Sequence, residues 1–319
     1  MLLVLDPGAL STVQDLGRPG HGAIGVAPSG AMDPLALRIG NLCVGNEEGA
    51  AGIELTMNGP SIAFEQDSVV ALTGSRFGAR VLRAVTGTAF ERDVDAPFAP
   101  WDEAFVVHAG ETLEIGKTTQ GARAYLAVRG GIDIAPLLGS RSTHVAARVG
   151  GHVLKQGDRL AVGHPRDTSV RRAKKNTSPY RPEQTVRAIR GPQASAFTER
   201  AIERFFSQGF AVSTRADRTG IRLEGMALQL RGAADIDPEG VVTGAVQVPA
   251  DGVPIVLCND RPVTGGYAKV AVVVAADMRL LAHAKPGDTL RFIEATRDDA
   301  LAAWREMEDG LLDMIEDAR

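Results

Sequence analysis

Short apolar runs, most of them bounded by glycine, recur along this chain of 319 residues. Runs of roughly four to eight apolar or alternating residues between turn-forming residues are typical of β-strands. The clearest are SVVALTG from Ser68, AYLAVRGG from Ala124, VRAIRGP from Val186, VPIVLCN from Val253 and KVAVVVAAD from Lys269. This pattern predicts a mainly β protein with few helices.

One pattern occurs in both halves of the chain. Each copy has a turn glycine, then an acidic residue, then alternating apolar residues, which is typical of a β-hairpin. The copies are AGETLEI from Ala109, QGDRLAV from Gln156 and PGDTLRF from Pro286. The repetition predicts two related β-barrel or β-sandwich domains.

The predicted helices begin at capping residues. Asp33 and Pro34 start a helix that Gly45 can end, and a second runs from Thr198 to Gly209. A third begins near Thr296 and carries an apolar stripe that we expect to contact the core, with an assembly contact as the alternative. The stripe consists of Leu301, Trp304, Met307, Leu311 and Met314.

A change of composition divides the chain. Residues 166–184 are polar, basic and proline-bearing, and we interpret them as an exposed linker. We expect its basic cluster to be solvated, the alternative being a patch for nucleic acid or an acidic partner. The cluster is Arg171, Arg172, Lys174 and Lys175. The predicted organisation is an N-terminal β domain (1–165), the linker, a C-terminal β-barrel (185–295) and a final helix (296–319).

Composition excludes several classes of protein. The formal net charge of -4 leaves no basic excess for binding nucleic acid. Cys43 and Cys258 are too few for a disulfide framework and lack a zinc-site pattern. The apolar run at the N-terminus is too short for a signal peptide. No stretch approaches the ~20 apolar residues of a membrane span. We therefore expect a cytoplasmic protein with no membrane contact.

Known motifs for nucleotides and metals are absent from the sequence. GKT at Gly116–Thr118 suggests a phosphate loop, but Glu111 stands where the first glycine is required. The six histidines include no H-E-x-x-H pair, so no metal is expected in this chain.

Two glycine-rich segments carry many polar residues. In residues 12–33 the polar residues suggest a role beyond connecting two elements. A long β loop that ends at the capping residue Asp33 is an equal alternative. In residues 240–270, Gly265 and Gly266 would let backbone N–H groups approach an oxygen atom, and Lys269 adds positive charge. We predict an oxyanion or carboxylate site there, the alternative being a glycine hairpin with a surface lysine.

Nine short segments occur in a recognisable order: TVQDLGRPG, SGAMD, GNEEGAAGIELTMNGP, RAYLAVRGGID, LGSRST, DRTGIRLEG, GAVQVP, DGVPIVL and TGGYAKV. Together they resemble the family of the 5-oxoprolinase C subunit, also called allophanate hydrolase subunit 2 or the biotin-dependent carboxyltransferase family. The resemblance implies two cyclophilin-like β-barrel domains. It also implies a partner that resembles the other half of the carboxyltransferase region of urea carboxylase, with the active site in or near their cleft.

The resemblance also implies site residues. We expect Lys269 to stabilise a substrate carboxylate or developing oxyanion, and Asp260 to orient it or handle a proton. The remaining residues that match the family's motifs are expected to bind substrate. They are Gln247, Thr264, Gly265, Gly266, Tyr267, Asp217, Arg218 and Arg222.

Six positions depart from the family pattern: Ala216, Thr219, Pro262, Val263, Ala268 and His283. At Pro262 and Val263 two polar groups are missing beside the glycine pair. Because losing hydrogen-bond partners changes specificity, a divergent substrate is an open alternative.

Three functions follow from the resemblance. The leading hypothesis is a subunit of an ATP-dependent complex that hydrolyses 5-oxoproline to glutamate, with two partners: a homologous protein, the B subunit of 5-oxoprolinase, and the third, A subunit. The second is a biotin-dependent carboxyltransferase component acting on urea or a related amide, with biotin carried on another protein. The third is a non-enzymatic antagonist of a partner that resembles a kinase inhibitor.

Overall fold

The computed structural model describes residues 1–83, 96–165 and 167–318 of the chain. They form two compact units: residues 1–18, 29–179 and 311–319, and residues 19–28 and 180–310. The predicted mainly β fold with two barrel-like domains is confirmed. Residues 84–95, Arg166 and Arg319, which belong to the predicted N-terminal domain, linker and final helix, lie outside the described residues.

The first unit is built on one antiparallel sheet of eight strands. They are β1 (Leu2–Asp6), β2 (Leu10–Gln14), β3 (Gly52–Thr56), β4 (Ser61–Phe64), β5 (Ser68–Leu82), β6 (Ala104–Val107), β7 (Thr112–Val128) and β8 (Arg159–Leu160). The order is β2-β3-β7-β4-β1-β8, and β5 pairs with both β6 and β7. The long strands β5 and β7 bend at register shifts, so β7 can pair with β3 near one end and with β4 near the other.

Helix α1 (Pro34–Cys43) packs on this sheet. The side chain of Asp33 accepts a hydrogen bond from the Ala36 N–H at 3.1 Å, and Gly45 lies just past the end at φ 76°, as the sequence predicts. The hydroxyl of Thr73 on β5 donates to the Ala36 carbonyl at 2.8 Å. Capping and packing therefore act at the same end of the helix.

The carboxylate of Asp15 joins the end of β2 to a distant loop. Its Oδ1 atom accepts hydrogen bonds from the hydroxyls of Ser140 at 2.6 Å and Ser142 at 2.5 Å, and from the Gly17 N–H at 2.8 Å. Its Oδ2 atom accepts from the Arg141 N–H at 2.5 Å. Asp15 is buried, so these donors depend on one carboxylate as their hydrogen-bond acceptor and not on water. The polar segment 12–33 thus has a structural role at this position.

We expect Asp15→Ala to lower the free energy of unfolding by about 3 kcal/mol, because it leaves several buried donors without an acceptor. Urea unfolding monitored by circular dichroism measures this. Asp133→Ala is the control, since Asp133 is exposed and its contact with Arg141 is 3.3 Å long; its effect should stay within about 0.5 kcal/mol. Equal losses in the two variants would contradict the role of Asp15.

The second unit contains a closed barrel of seven strands. The strands of the unit are β10 (Glu183–Arg190), β11 (Gly209–Val212), β12 (Gly220–Glu224), β13 (Asp235–Gly240), β14 (Ala245–Gln247), β15 (Ile255–Leu257), β16 (Thr264–Tyr267), β17 (Lys269–Val273) and β18 (Thr289–Glu294). The barrel order is β10-β17-β14-β15-β12-β11-β18. The closing pair, β10 with β18, is parallel, and every other barrel pair is antiparallel. Strands β13 and β16 form a two-stranded sheet of their own.

Helix α2 (Glu199–Ser207) begins where predicted, with the Thr198 side chain accepting from the Ala201 N–H at 3.2 Å. It brings Phe205 onto the barrel. The ring of Phe205 stacks on that of Phe292 with 4.5 Å between centroids, and it also contacts Phe210. These aromatic contacts anchor α2 to β11 and β18.

The repeated glycine–acid pattern forms the same turn each time. The glycine has a positive φ of 85 to 89°, and the acidic side chain accepts a hydrogen bond from the backbone N–H three residues earlier. The glycine–acid pairs are Gly110 with Glu111, Gly157 with Asp158 and Gly287 with Asp288. Two copies lie in the first unit and one in the second, so the sequence identified a device common to both.

Two further helices complete the second unit, α3 (Met278–Ala282) and α4 (Arg297–Asp309). Thr296 caps α4 in a capping box with Asp299, as its position in the sequence predicts. The predicted core contact is wrong for Leu301 and Trp304, which are 42% and 45% exposed. Ala303 is the residue that α4 buries, while Leu311 of the predicted stripe is buried after the helix ends and Met307 is half-buried. No helix of the described chain is long and apolar enough to cross a membrane.

Single 3₁₀ turns lie at Gly22–Ile24, Ala194–Ala196, Ala275–Asp277 and Leu312–Met314.

The last residues of the chain belong to the first unit. There the turn at Leu312–Met314 leads into β19 (Ile315–Asp317). Strand β19 pairs with β9 (Arg171–Ala173), so the segment expected to be an exposed linker contains a strand. Arg172 forms an ion pair with Glu316 at 2.7 Å, and Arg171 lies 3.6 Å from Asp317. Half of the basic cluster is thus paired with acids.

Candidate functional site

Lys269 is buried at the start of β17, a strand with barrel neighbours on both sides. Its cross-strand partner on β14 is Gln247, next to a register shift between Val246 and Gln247. Behind them, Gly191 approaches so closely that a Cβ atom there would lie 2.2 Å from the Lys269 carbonyl oxygen. The barrel therefore fixes the backbone of Lys269, and a buried ammonium requires a partner or a ligand.

The ammonium of Lys269 contacts the carboxylate of Glu239 on β13, with 2.7 Å between Nζ and Oε1. The contact is short but poorly aligned, so Nζ makes no hydrogen bond of good geometry. The short contact with the Lys269 ammonium, and then the hydrogen bond from Gln193, lower the pKa of the Glu239 carboxyl below its usual value. The Glu239 side chain is 45% exposed, whereas that of Lys269 is 4% exposed. The pair thus joins a fixed cation to a solvent-accessible anion.

Gln193 connects the two charged residues. Its Nε2 donates to Oε1 of Glu239 at 2.9 Å, and its Oε1 accepts from the backbone N–H of Lys269 at 3.3 Å. The amide is therefore oriented by two contacts of opposite polarity.

The side-chain amide of Gln247 has an N–H donor without an acceptor. Its Nε2 atom is buried and makes no hydrogen bond in the described structure. Gly265 on β16 lies against it, since a Cβ atom at Gly265 would be 2.2 Å from Nε2 and 3.0 Å from Cγ1 of Val241. Leaving a buried amide donor unpaired costs about 1–3 kcal/mol. The absence of a side chain at Gly265 makes room for this donor.

Asp260 lies in a different pair. Its carboxylate accepts from Nε of Arg218 at 3.0 Å and from an Nη of Arg218 at 3.1 Å, and both side chains are buried. The carboxylate beside Lys269 is that of Glu239, while Asp260 and Arg218 form a bidentate pair between the turn before β12 and the chain after β15. The catalytic role of Asp260 stays a prediction.

The other predicted residues lie at or near the surface. Thr264 and Tyr267 are exposed on β16, where Tyr267 pairs with Asp235. Asp217 is exposed and accepts hydrogen bonds from two N–H groups of its own turn. Arg222 is exposed on β12. The structure thus assembles Lys269, Gln247 and Gly265, and in the described part of the chain no side-chain hydrogen bond or ion pair joins the exposed four to them.

Of the positions that depart from the family pattern, Pro262 is exposed and Val263 is half-buried in the chain before β16. The Val263 carbonyl accepts from the Val241 N–H at 3.1 Å. Val263 thus helps to attach the end of β13 through its backbone, which a change of side chain leaves intact.

Sequence reasoning missed Glu239 and Gln193. Glu239 directly precedes the glycine-rich segment 240–270, and Gln193 lies 76 residues before Lys269 in RGPQAS. The pairing of β13 with β16 sets Glu239 opposite Gly265, which no local pattern indicates.

The adjacent glycines of β16 provide a test. Gly265→Ala should displace the Gln247 amide and lower the free energy of unfolding by about 1–3 kcal/mol through overpacking. Gly266→Ala is the matched control, because its Cβ would lie 3.4 Å from the nearest atom, an ordinary contact. Urea unfolding, with NMR of the Gln247 side-chain amide, measures both effects. Equal behaviour of the two variants would show that Gly265 is not required for this packing.

The buried pair of Arg218 and Asp260 leads to a second prediction. We expect Asp260→Asn to lower the free energy of unfolding by about 3–5 kcal/mol, since it leaves the buried Arg218 guanidinium without its counter-ion. Asp217→Asn should change it by less than about 0.5 kcal/mol, because the exposed asparagine oxygen accepts the same N–H groups. Chemical denaturation of both variants measures the difference, and a stable Asp260→Asn protein would rule out a structural role for the pair.

Comparison with known proteins gives a consistent result. Residues 24–294 match the family model described as carboxyltransferase domain, subdomain A and B. The chain is 34% identical to the C subunit of 5-oxoprolinase from Escherichia coli over 97% of its own length and 96% of that protein. It is also 34% identical to the urea amidolyase of Lachancea kluyveri, of which it spans 18%.

A solved structure agrees with these sequences. The chain superposes on the urea carboxylase of Kluyveromyces lactis with a TM-score of 0.87 and 28% identity, covering 99% of this chain and 29% of that one. The resemblance predicted from the nine segments is confirmed.

Proposed function

We propose that this chain, which belongs to the carboxyltransferase-domain family of subdomains A and B, is a subunit of an ATP-dependent complex that hydrolyses 5-oxoproline to glutamate. Its relatives, which are parts of enzymes, support an enzyme-associated, carboxyltransferase-like subunit. A relative that it matches over nearly the whole length of both proteins is named as the C subunit of 5-oxoprolinase.

The observation that carries this proposal is the pair of buried donors on neighbouring barrel strands. Gln247 offers an unpaired N–H group, and Lys269 offers ammonium hydrogens that lack a well-aligned acceptor. A lactam or amide carbonyl oxygen has two lone pairs and develops negative charge when the carbonyl is attacked. Buried donors held in place before the reaction stabilise such charge more than water does. Lys269 and Gln247 thus suit a carbonyl oxygen.

Other proteins of the proposed complex supply the remaining functions. The homologous B subunit of 5-oxoprolinase and the third, A subunit are the proposed partners, in keeping with the multi-subunit naming of the relatives. ATP, bound at the level of the complex, supplies the free energy for opening an unreactive lactam. In this division of labour the chain binds and orients the small amide or lactam.

The test is the 5-oxoproline-dependent ATP hydrolysis of the complex assembled from this chain and the A and B subunits. Lys269→Met should lower kcat/KM by at least about 100-fold, as expected for loss of an oxyanion donor. Methionine keeps the apolar volume of the lysine stem, which limits changes in packing.

Lys285→Met is the control, since the Lys285 ammonium lies over the Tyr180 ring of the same unit, 5.0 Å from its centroid. It should leave kcat/KM within about twofold of the wild type. A complex that assembles without 5-oxoproline-dependent turnover, or one in which Lys269→Met is as active as the wild type, contradicts the proposal.

The likeness to urea carboxylase favours carboxyl transfer as a second candidate. A ureido carbonyl of biotin or urea would accept from the same two donors, Lys269 and Gln247. Biotin would arrive on another protein and would supply the carboxyl group. Urea-dependent decarboxylation of carboxybiotin by the complex, without 5-oxoproline turnover, would replace the first proposal by this one.

A further inference from the structure

The Lys269 ammonium has a carboxylate beside it that differs from an ordinary buried counter-ion. Glu239 is 45% exposed and reaches Lys269 from outside the barrel, from the two-stranded sheet of β13 and β16. By contrast, both members of the Arg218–Asp260 pair are buried and bidentate. Glu239 therefore covers the cation without being enclosed itself.

The segment that carries Glu239 is exposed and irregularly paired. All but one of the residues of β13 are exposed, and its pairing with β16 is irregular between Asp235 and Glu239. Pro238, directly before Glu239, has no N–H group to donate to a neighbouring strand. Moving the Glu239 side chain away from Lys269 breaks one misaligned ion pair and one hydrogen bond from Gln193. The backbone of Lys269 stays in place, because it belongs to a barrel strand with neighbours on both sides.

We propose that Glu239 competes with ligands for the Lys269 ammonium. A ligand carboxylate binds by displacing the Glu239 carboxylate from that ammonium. A ligand carboxylate can replace both contacts of Glu239, with Lys269 and with Gln193, and gains the unpaired Gln247 donor. A lactam or amide carbonyl oxygen replaces the charge interaction only as it becomes an oxyanion, so in its neutral state it reaches Lys269 against the competition of Glu239. Glu239 thus selects anionic ligands over neutral ones, and this inference rests on the proposed role of Lys269 as the ligand-binding cation.

Acetate and acetamide are suitable probes, since they are nearly equal in shape and differ in charge. They are titrated into the full chain while the side-chain amide signals of Gln247 and Gln193 are followed by NMR, which detects weak binding. The variants are wild type, Glu239→Gln and Glu294→Gln. Glu294 is the matched control because it is also a half-exposed carboxylate paired with a cation, Arg190, at 2.6 Å.

In Glu239→Gln the acetate affinity should rise by about fivefold, because the cation is no longer occupied by a competing charge. In the wild type, acetate should bind more tightly than acetamide, and the Gln193 amide signal should shift as its contact with Glu239 is lost. Glu294→Gln should behave as the wild type does.

Acetate affinity that is unchanged or lower in Glu239→Gln would overturn the proposal, as would the absence of any acetate-dependent shift of the Gln247 amide. These outcomes are independent of 5-oxoproline turnover. If acetate competes with Glu239 while the complex does not hydrolyse 5-oxoproline, the proposed function fails and the displacement stands. If turnover depends on Lys269 and the acetate affinity is the same in the wild type and in Glu239→Gln, the proposed function stands. The proposed displacement of Glu239 is then wrong.

Discussion

The pairing of Gln247 with Lys269 across β14 and β17 is the constraint on which the candidate site depends. Each strand lies inside a closed barrel, so neither residue can move its backbone without opening the barrel. A buried ammonium and a buried amide are costly in such a place unless they receive an acceptor. Here the two residues lie beside the two-stranded sheet of β13 and β16, whose Glu239 carboxylate contacts the ammonium from a half-exposed position.

Local signals predicted the parts of the fold that local interactions control. Asp33, Thr198 and Thr296 cap their helices, and the glycine–acid turns recur with one backbone geometry, because capping and turn formation involve residues a few positions apart. The exposed Leu301 and Trp304 show the limit of this reasoning. An apolar stripe indicates that a helix has a hydrophobic face, but the neighbouring surface decides which face is buried.

The site was predicted in the same uneven way. Lys269, Gln247 and Gly265 lie within one short stretch of sequence, and their types already indicate an oxygen-binding site. Glu239 and Gln193 reach it through the pairing of β13 with β16 and the closure of the barrel, over separations that no residue pattern encodes. The Arg218–Asp260 pair is a converse case, since motif residues that resemble catalytic groups prove to be buried against each other.

Gly265 also links two positions of the chain in evolution. Any side chain at 265 would occupy the space of the Gln247 amide, so a larger residue there is tolerated only if position 247 becomes smaller or changes direction. Relatives that keep the amide must then keep the glycine, and relatives that lose one are free to lose the other. Joint variation at these two positions would therefore mark where, among related chains, this donor has been abandoned.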